Sequence, residues 1–295
     1  MKKVIVIAGP TASGKTALGV KLAKELNGEI ISCDSMQIYK GIPICSAQPT
    51  EEEKQGIPHH LMGFVDFTNR FTAYDYRMLA LDKIRDIISR SKQPIIVGGT
   101  GMYFHWLIYN PDFMPESTND VRKELEKEET DVLFNKLLAL NSETKIKAED
   151  RKRIIRALEI HALTGALPKD TIKEKEKNTE FDFRLFCISP QREILYEKIN
   201  KRVDIMVEQG IFEEVKAIYD KGLTEDNQAY KAIGCRQIID YFNGLCTREE
   251  ALEKVKQESR RYAKRQLTWM KSEDAIWLNG TMEENITTIK NSIKG

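Results

Sequence analysis

No stretch of this chain approaches the roughly 20 consecutive apolar residues of a membrane-spanning helix, so no membrane anchor is expected. The start, Met1-Lys2-Lys3 and then Val4 to Ala8, imitates a secretory signal only briefly. Its apolar run is five residues and leads into Gly9-Pro10-Thr11 rather than a small-residue cleavage site, which reads as a buried first strand. Cysteine is scarce: Cys33, Cys45, Cys187, Cys235 and Cys246 are odd in number and contain no C-x-x-C pair. That pattern excludes a disulfide framework and a zinc site and predicts reduced thiols in a cytoplasmic protein. Among four histidines, His59 and His60 adjoin, without the cysteine or acidic partners of a metal set. Charge of one sign is missing too: 46 basic against 45 acidic residues leave a net charge of +1. A polyanionic partner would therefore need locally clustered basic residues. Internal repeats and low-complexity segments are absent.

The 295 residues present are enough for one large domain or two. Lys3 to Ala8, Glu29 to Ser32 and Pro94 to Val97 read as strands. Between them Thr16 to Leu26 and Thr72 to Arg90 carry helical apolar spacing, the latter opened by the capping pair Thr72 and Asp75. Strands separated by helices of this size predict a parallel sheet with crossover helices. Composition shifts near Pro111. From Asp112 to about Thr179 the chain is rich in Lys and Glu and reads as helices only: Asn119 to Glu128, Asp131 to Leu140, and Asp150 to Leu163 stopped by Gly165 and Pro168. Phe183 to Ser189 returns to a strand pattern, Ser189-Pro190 opens another helix, Arg248 to Lys271 forms a long one, and Ala275 to Leu278 a last short strand. The expected fold is α/β: a P-loop NTPase-like parallel-sheet core in two parts, 1–111 and 180–295, interrupted by a helical insertion, 112–179.

Gly9-Pro10-Thr11-Ala12-Ser13-Gly14-Lys15-Thr16 fits G-x-x-x-x-G-K-S/T between a predicted strand and a predicted helix, the context this phosphate cradle requires. Glycines let backbone N–H groups turn onto phosphate oxygens, and the helix N-terminus adds positive potential. Lys15 is placed to neutralise a terminal phosphate and the Thr16 hydroxyl to bind Mg2+. A kinase or NTPase would add an acid at the end of a central strand. Ile95-Ile96-Val97 instead ends in Gly98-Gly99-Thr100. Asp34, after Ile30-Ile31-Ser32-Cys33, is the near candidate, either as general base or magnesium partner or as a turn-capping aspartate.

Three basic clusters interrupt the near-neutral chain: Arg151, Lys152, Arg153 and Arg156 around one helical turn, Lys231 and Arg236, and Arg260, Arg261, Lys264 and Arg265. Taken singly each reads as a solvated face, and taken together they are also compatible with contacts to RNA phosphates.

Five segments in order, Gly9 to Thr16, Asp34-Ser35-Met36-Gln37-Ile38-Tyr39, Pro58-His59-His60-Leu61, Gly98 to Tyr103 and Ala263-Lys264-Arg265-Gln266-Leu267-Thr268-Trp269, resemble the bacterial tRNA dimethylallyltransferase family over nearly the whole chain. The resemblance implies transfer of a dimethylallyl group from dimethylallyl diphosphate to the exocyclic amine of the adenosine next to the anticodon, with Mg2+ and release of diphosphate. It implies Asp34 as general base, Lys15 and Arg202 as diphosphate-binding cations, and reach to substrate from Thr11. It further implies contacts to the tRNA anticodon stem-loop from Asp34, Ser35, Met36, Gln37, Thr100, Arg122, the segment Lys152-Arg153-Ile154-Ile155-Arg156 and the segment Lys231-Ala232-Ile233-Gly234-Cys235-Arg236, in a monomeric protein. The chain departs from the family at Cys45 and Gln48, where glycine and lysine are usual, and at Cys235, usually tyrosine. Tyr103, Phe104 and Trp106 are either prenyl-pocket or core aromatics. A P-loop kinase of small molecules and an adenylate isopentenyltransferase acting on free nucleotide are the alternative readings.

Overall fold

A computed structural model describes residues 1–109, 119–167 and 176–294. The composition change at Pro111 and the helix stop at Pro168 lie outside the described residues. The chain forms two compact units, one of Met1–Ile108 with Asn178–Gly295 and one of Tyr109–Lys177.

The first unit is built on six parallel strands: β1 (Lys2–Ala8), β2 (Gly28–Cys33), β3 (His59–His60), β4 (Gln93–Gly98), β5 (Phe181–Ile188) and β6 (Ile276–Leu278), in the order β3-β2-β4-β1-β5-β6. Central strands covered on both faces must be apolar throughout, which is why Val4 to Ala8 and Pro94 to Gly98 are continuously buried. The ladder of β5 begins earlier than the apolar pattern predicts, because Phe181 and Asp182 pair with Lys2 and Lys3. Helices α1 (Lys15–Glu25), α2 (Glu51–Lys54), α3 (Ala73–Ser89) and α4 (Gly101–Ile108) accompany the first strands. Thr72 and Asp75 form the reciprocal capping box expected of them. The chain then leaves for the second unit, which contains α5 (Asn119–Glu126), α6 (Thr130–Leu140) and α7 (Arg151–Thr164). It returns through β5 to α8 (Arg192–Glu208), α9 (Ile211–Asp220), α10 (Cys235–Phe242), α11 (Arg248–Met270) and α12 (Met282–Lys294).

Three apolar clusters among the described residues stabilise the first unit, the smallest formed by Leu195, Ile199 and Ala263. One packs α1 and α12 on the sheet through Leu18, Leu22, Ile30, Ile95 and Ile289. Another joins Ile38, Tyr39 and Ile42 to Phe212, Val215 and Ile238 of α9 and α10. At the start of β2, Glu29 is only 2% exposed and accepts from Arg90 at 2.5 and 2.8 Å, Lys92 at 2.6 Å and the His60 ring nitrogen at 2.8 Å. The Arg90 guanidinium, seconded by Lys92 and His60, holds its carboxyl far below the usual range despite burial. A carboxyl depressed in the fold contributes stability above its unfolded value near 4.5 and loses it as pH falls. Glu29→Gln is expected to cost about 2 kcal/mol at neutral pH, because the buried carboxylate loses the charge that strengthens its hydrogen bonds to the partly exposed Arg90, Lys92 and His60. It should also flatten the acid limb of the stability profile below about pH 4.5, read by thermal unfolding across pH. An unchanged acid limb would contradict this role.

In the second unit α6 and α7 pack through Leu133, Leu137, Ile154, Ile155 and Leu158, and Leu125 of α5 packs against this cluster. Asp150 caps α7 by accepting from Arg153 N–H, and Gly165, at φ 74°, ends it in the left-handed conformation that glycine tolerates.

Candidate active site

The P-loop leaves β1 where the sheet order reverses, with β4 on one side and β5 on the other, the position at which open α/β sheets bind ligands. Gly14, at φ 88°, turns the chain into α1. Lys15 Nζ donates to the Pro10 carbonyl at 2.6 Å. Pro10 has no N–H, so within the expected cradle it contributes only that carbonyl. The Thr11 N–H is also engaged, donating to Gln266 Oε1 at 2.8 Å.

Gln266, 5% exposed on α11, ties the loops together, because its Nε2 donates to Gly99 O at 3.0 Å. The glycines after β4 make this approach possible. A Cβ on Gly99 would lie 2.0 Å from Gln266 Nε2, and one on Gly101 would lie 2.4 Å from the Trp269 ring. The Gly98-Gly99-Thr100-Gly101 run thus serves close packing of α11 on the sheet. Tyr103 stacks on Tyr76 and Phe104 on Trp269, and both Tyr103 and Phe104 are buried, which settles these two as core aromatics.

Asp34 follows β2. Its Oδ1 accepts from the N–H groups of Met36 at 2.9 Å and Gln37 at 3.4 Å, so it caps its own turn. Ser35 N–H donates to Thr100 Oγ1 at 3.0 Å. Gln37 Nε2 donates to Ala47 O at 3.0 Å, and Arg202 Nη2 of α8 reaches the same carbonyl at 3.1 Å. Two hydrogen bonds thereby hold the 42–49 loop against the site. A third anchor comes from α9: Glu214 accepts from Ile44 and Cys45 N–H groups at 2.8 and 2.7 Å.

These residues enclose a cavity of about 270 Å³ whose wall includes Thr11, Lys15, Thr16, Asp34, Arg202 and Tyr262. A groove of about 730 Å³ runs along residues 12–17 of the P-loop and the 43–54 segment, and shares Lys15, Thr16, Ala47, Arg202 and Met206 with it. Burial, the adjacent Arg202 charge and, in the opposite sense, Asp34 bring the Lys15 pKa down to about 7. Burial likewise lowers that of Arg202. Two cations held side by side against mutual repulsion form a site that an anion stabilises.

Of the remaining expected residues, Lys231 and Arg236 are exposed, while Ala232, Gly234 and Cys235 are buried. Lys231, Ala232 and Ile233 reach the cavity wall. In the helical unit, Lys152 and Arg153 are exposed, but Ile154 and Ile155 are core at 0 and 3% exposure. Their side chains therefore cannot contact a surface partner, because the apolar stripe of α7 faces inward. Arg151 is committed to Thr130 Oγ1 and the Glu126 carbonyl. Arg156 donates to the fully buried Glu159 at 2.8 Å, and Arg122 lies 4.0 Å from the same carboxylate. Within the third basic cluster, Arg260 bonds Asn200 and Glu253, Arg261 bonds Glu258, and Arg265 joins the cavity wall.

Sequence reasoning missed Gln266 as a clamp, Ser259 and Tyr262 on the wall, and His59, whose Nδ1 bonds Ile57 O while its ring lines the cavity. The signal for the first three was the spacing 259, 262, 266, which sets them on one face of α11.

A family model described as IPP transferase matches residues 37–273. The chain belongs to the IPP transferase family. This IPP transferase is 42% identical to a tRNA dimethylallyltransferase of Anoxybacillus flavithermus, over 100% of its own length and 97% of the relative's. Among solved structures it resembles the full-length tRNA isopentenylpyrophosphate transferase of Bacillus halodurans, with TM-score 0.75 and 39% identity over 100% and 96% of the two chains. It also resembles a eukaryotic dimethylallyltransferase acting on tRNA, with TM-score 0.84 and 32% identity over 99% of this chain and 77% of that one. No helix among the described residues is long and apolar enough to cross a membrane.

Proposed function

We infer that this tRNA prenyltransferase moves a dimethylallyl group from dimethylallyl diphosphate to the exocyclic amine of the adenosine 3′ of the anticodon. The observation that carries the reading is the placement of Lys15 and Arg202 on the wall shared by two cavities, only one of which contains Asp34. A diphosphate seated on these cations along residues 12–17 puts its allylic carbon toward the Asp34 side. There an adenine, turned out of the anticodon loop, presents its amine.

As the C–O bond breaks, negative charge develops on the leaving diphosphate. Lys15, Arg202 and P-loop N–H groups stabilise it without rearranging. As the C–N bond forms, the Asp34 carboxylate takes the amine proton. Ser35, Met36 and Gln37 line that position and hold the base, with Thr100 bonded to Ser35 beside them.

Among the described residues no three or more His, Cys, Asp or Glu gather as a metal cage. The donor set is the Thr16 hydroxyl on the shared wall, which suits Mg2+ because that ion keeps several waters and binds through substrate phosphates. Bound there, Mg2+ would add positive charge beside the diphosphate.

The anticodon stem-loop contacts the insertion of residues 112–179 through Arg122, Lys152, Arg153 and Arg156, and the core through Lys231 and Arg236. The acting species is a monomer.

The test offers labelled dimethylallyl diphosphate with tRNA, AMP or ATP as acceptor. Label is expected in tRNA adenosine and absent from free nucleotides. Label on AMP or ATP alone would replace this reading with an adenylate isopentenyltransferase, and γ-phosphoryl transfer with a kinase.

A further inference from the structure

We propose that Cys45 and Cys235 form a redox-active dithiol that closes to a disulfide across the cavity wall. The two residues are 190 positions apart, yet their sulfurs lie 3.2 Å from one another. Forming the bond, about 2.05 Å long, requires an approach of only about 1.2 Å. Both are buried: Cys45 is 6% exposed and Cys235 fully enclosed. Neighbouring groups keep the pair in register. Glu214 holds the Cys45 backbone N–H at 2.7 Å, and the Cys45 thiol donates to Ile233 O at 3.4 Å. Gly234 lets the segments meet, because a Cβ there would stand 2.9 Å from Cys45 Sγ.

Cys45 lines the cavity that holds Lys15 and Asp34, so a molecule as small as hydrogen peroxide reaches its sulfur by the ligand's path. Cys45, having released its proton to water, attacks one peroxide oxygen. The O–O bond breaks, hydroxide leaves to take up that proton as water, and the sulfur becomes a sulfenic acid. The Cys235 sulfur then attacks Cys45 Sγ, the S–O bond breaks, and the hydroxyl departs as water with the Cys235 proton. Two thiols are oxidised by two electrons and one peroxide is reduced to two waters. The hydrogen-bonded Cys235, burial and the Glu214 carboxylate hold the Cys45 pKa well above the ordinary thiol value. The pair therefore closes slowly, under sustained peroxide rather than brief exposure.

The experiment treats the full chain with graded hydrogen peroxide, unfolds it, alkylates the remaining thiols and maps peptides by mass spectrometry. Cys45 and Cys235 are expected to vanish together into one linked peptide that dithiothreitol reverses, and the oxidised chain should unfold at a higher temperature. In Cys45→Ser, Cys235 should stay alkylatable at the same exposure. The proposal is overturned if both thiols survive peroxide that oxidises the half-buried Cys246, or if either is oxidised without the link. The linked peptide is read on the unmodified chain, so a Cys45→Ser protein that fails to fold does not alter the outcome.

Discussion

Asp34→Asn lowers prenyl transfer to tRNA by about a hundred- to ten-thousand-fold, the range general-base catalysis supplies, while tRNA affinity stays within about twofold. Asparagine is the informative replacement. Asp34 Oδ1 accepts the Met36 and Gln37 N–H groups, and an asparagine oxygen keeps both bonds while removing the charge and the basicity. Alanine would also loosen the turn carrying Ser35 to Gln37, mixing a positioning loss with a chemical one. Turnover within about tenfold of the unmodified chain in the asparagine variant would assign Asp34 to turn capping alone. Single-turnover rates with bound tRNA separate the two results.

The second large effect is on the diphosphate side. Lys15→Ala is expected to cost about 3–4 kcal/mol of transition-state stabilisation, roughly a hundred- to thousand-fold in kcat/KM for dimethylallyl diphosphate. The Arg202 charge disfavours the charged form of Lys15, and burial disfavours it in both side chains. With Lys15 removed, Arg202 still lines both cavities and carries part of the binding. For that reason the loss should fall more on kcat than on KM, where the departing diphosphate needs both cations at once. Unaltered steady-state kinetics would take the P-loop out of the mechanism.

The strands of the sheet centre were legible because a strand buried on both faces needs an unbroken apolar run, as in Val4 to Ala8 and Ile95 to Val97. The start of α3 was legible because Thr72 and Asp75 encode a cap in four residues. Edge strand β3 was not, since two histidines carry no period and owe their pairing to Ile30 and Ile31 of β2. Nor was α10, which starts from Gly234 at φ 115°, a conformation set by tertiary contact. The P-loop and Asp34 were readable as local motifs. Their meeting with Arg202 and Tyr262 depends on chain folding across more than a hundred residues, which local pattern cannot encode. The family resemblance placed Arg202 at the site, which helix spacing alone did not. Basic residues were the least legible, because the partners that Arg151 and Arg260 find in Thr130 and Asn200 leave no mark in the local pattern.

At the centre of the mechanism, one enclosed wall receives the diphosphate while an adjoining carboxylate faces the reacting carbon. A crystal structure of the chain with dimethylallyl diphosphate and magnesium, without acceptor, tests this most directly. Phosphate oxygens are predicted within hydrogen-bond distance of Lys15 Nζ, Arg202 and the amides of the P-loop, with the five-carbon group directed toward Asp34. Diphosphate bound away from Lys15, or a five-carbon group pointing away from Asp34, would contradict it.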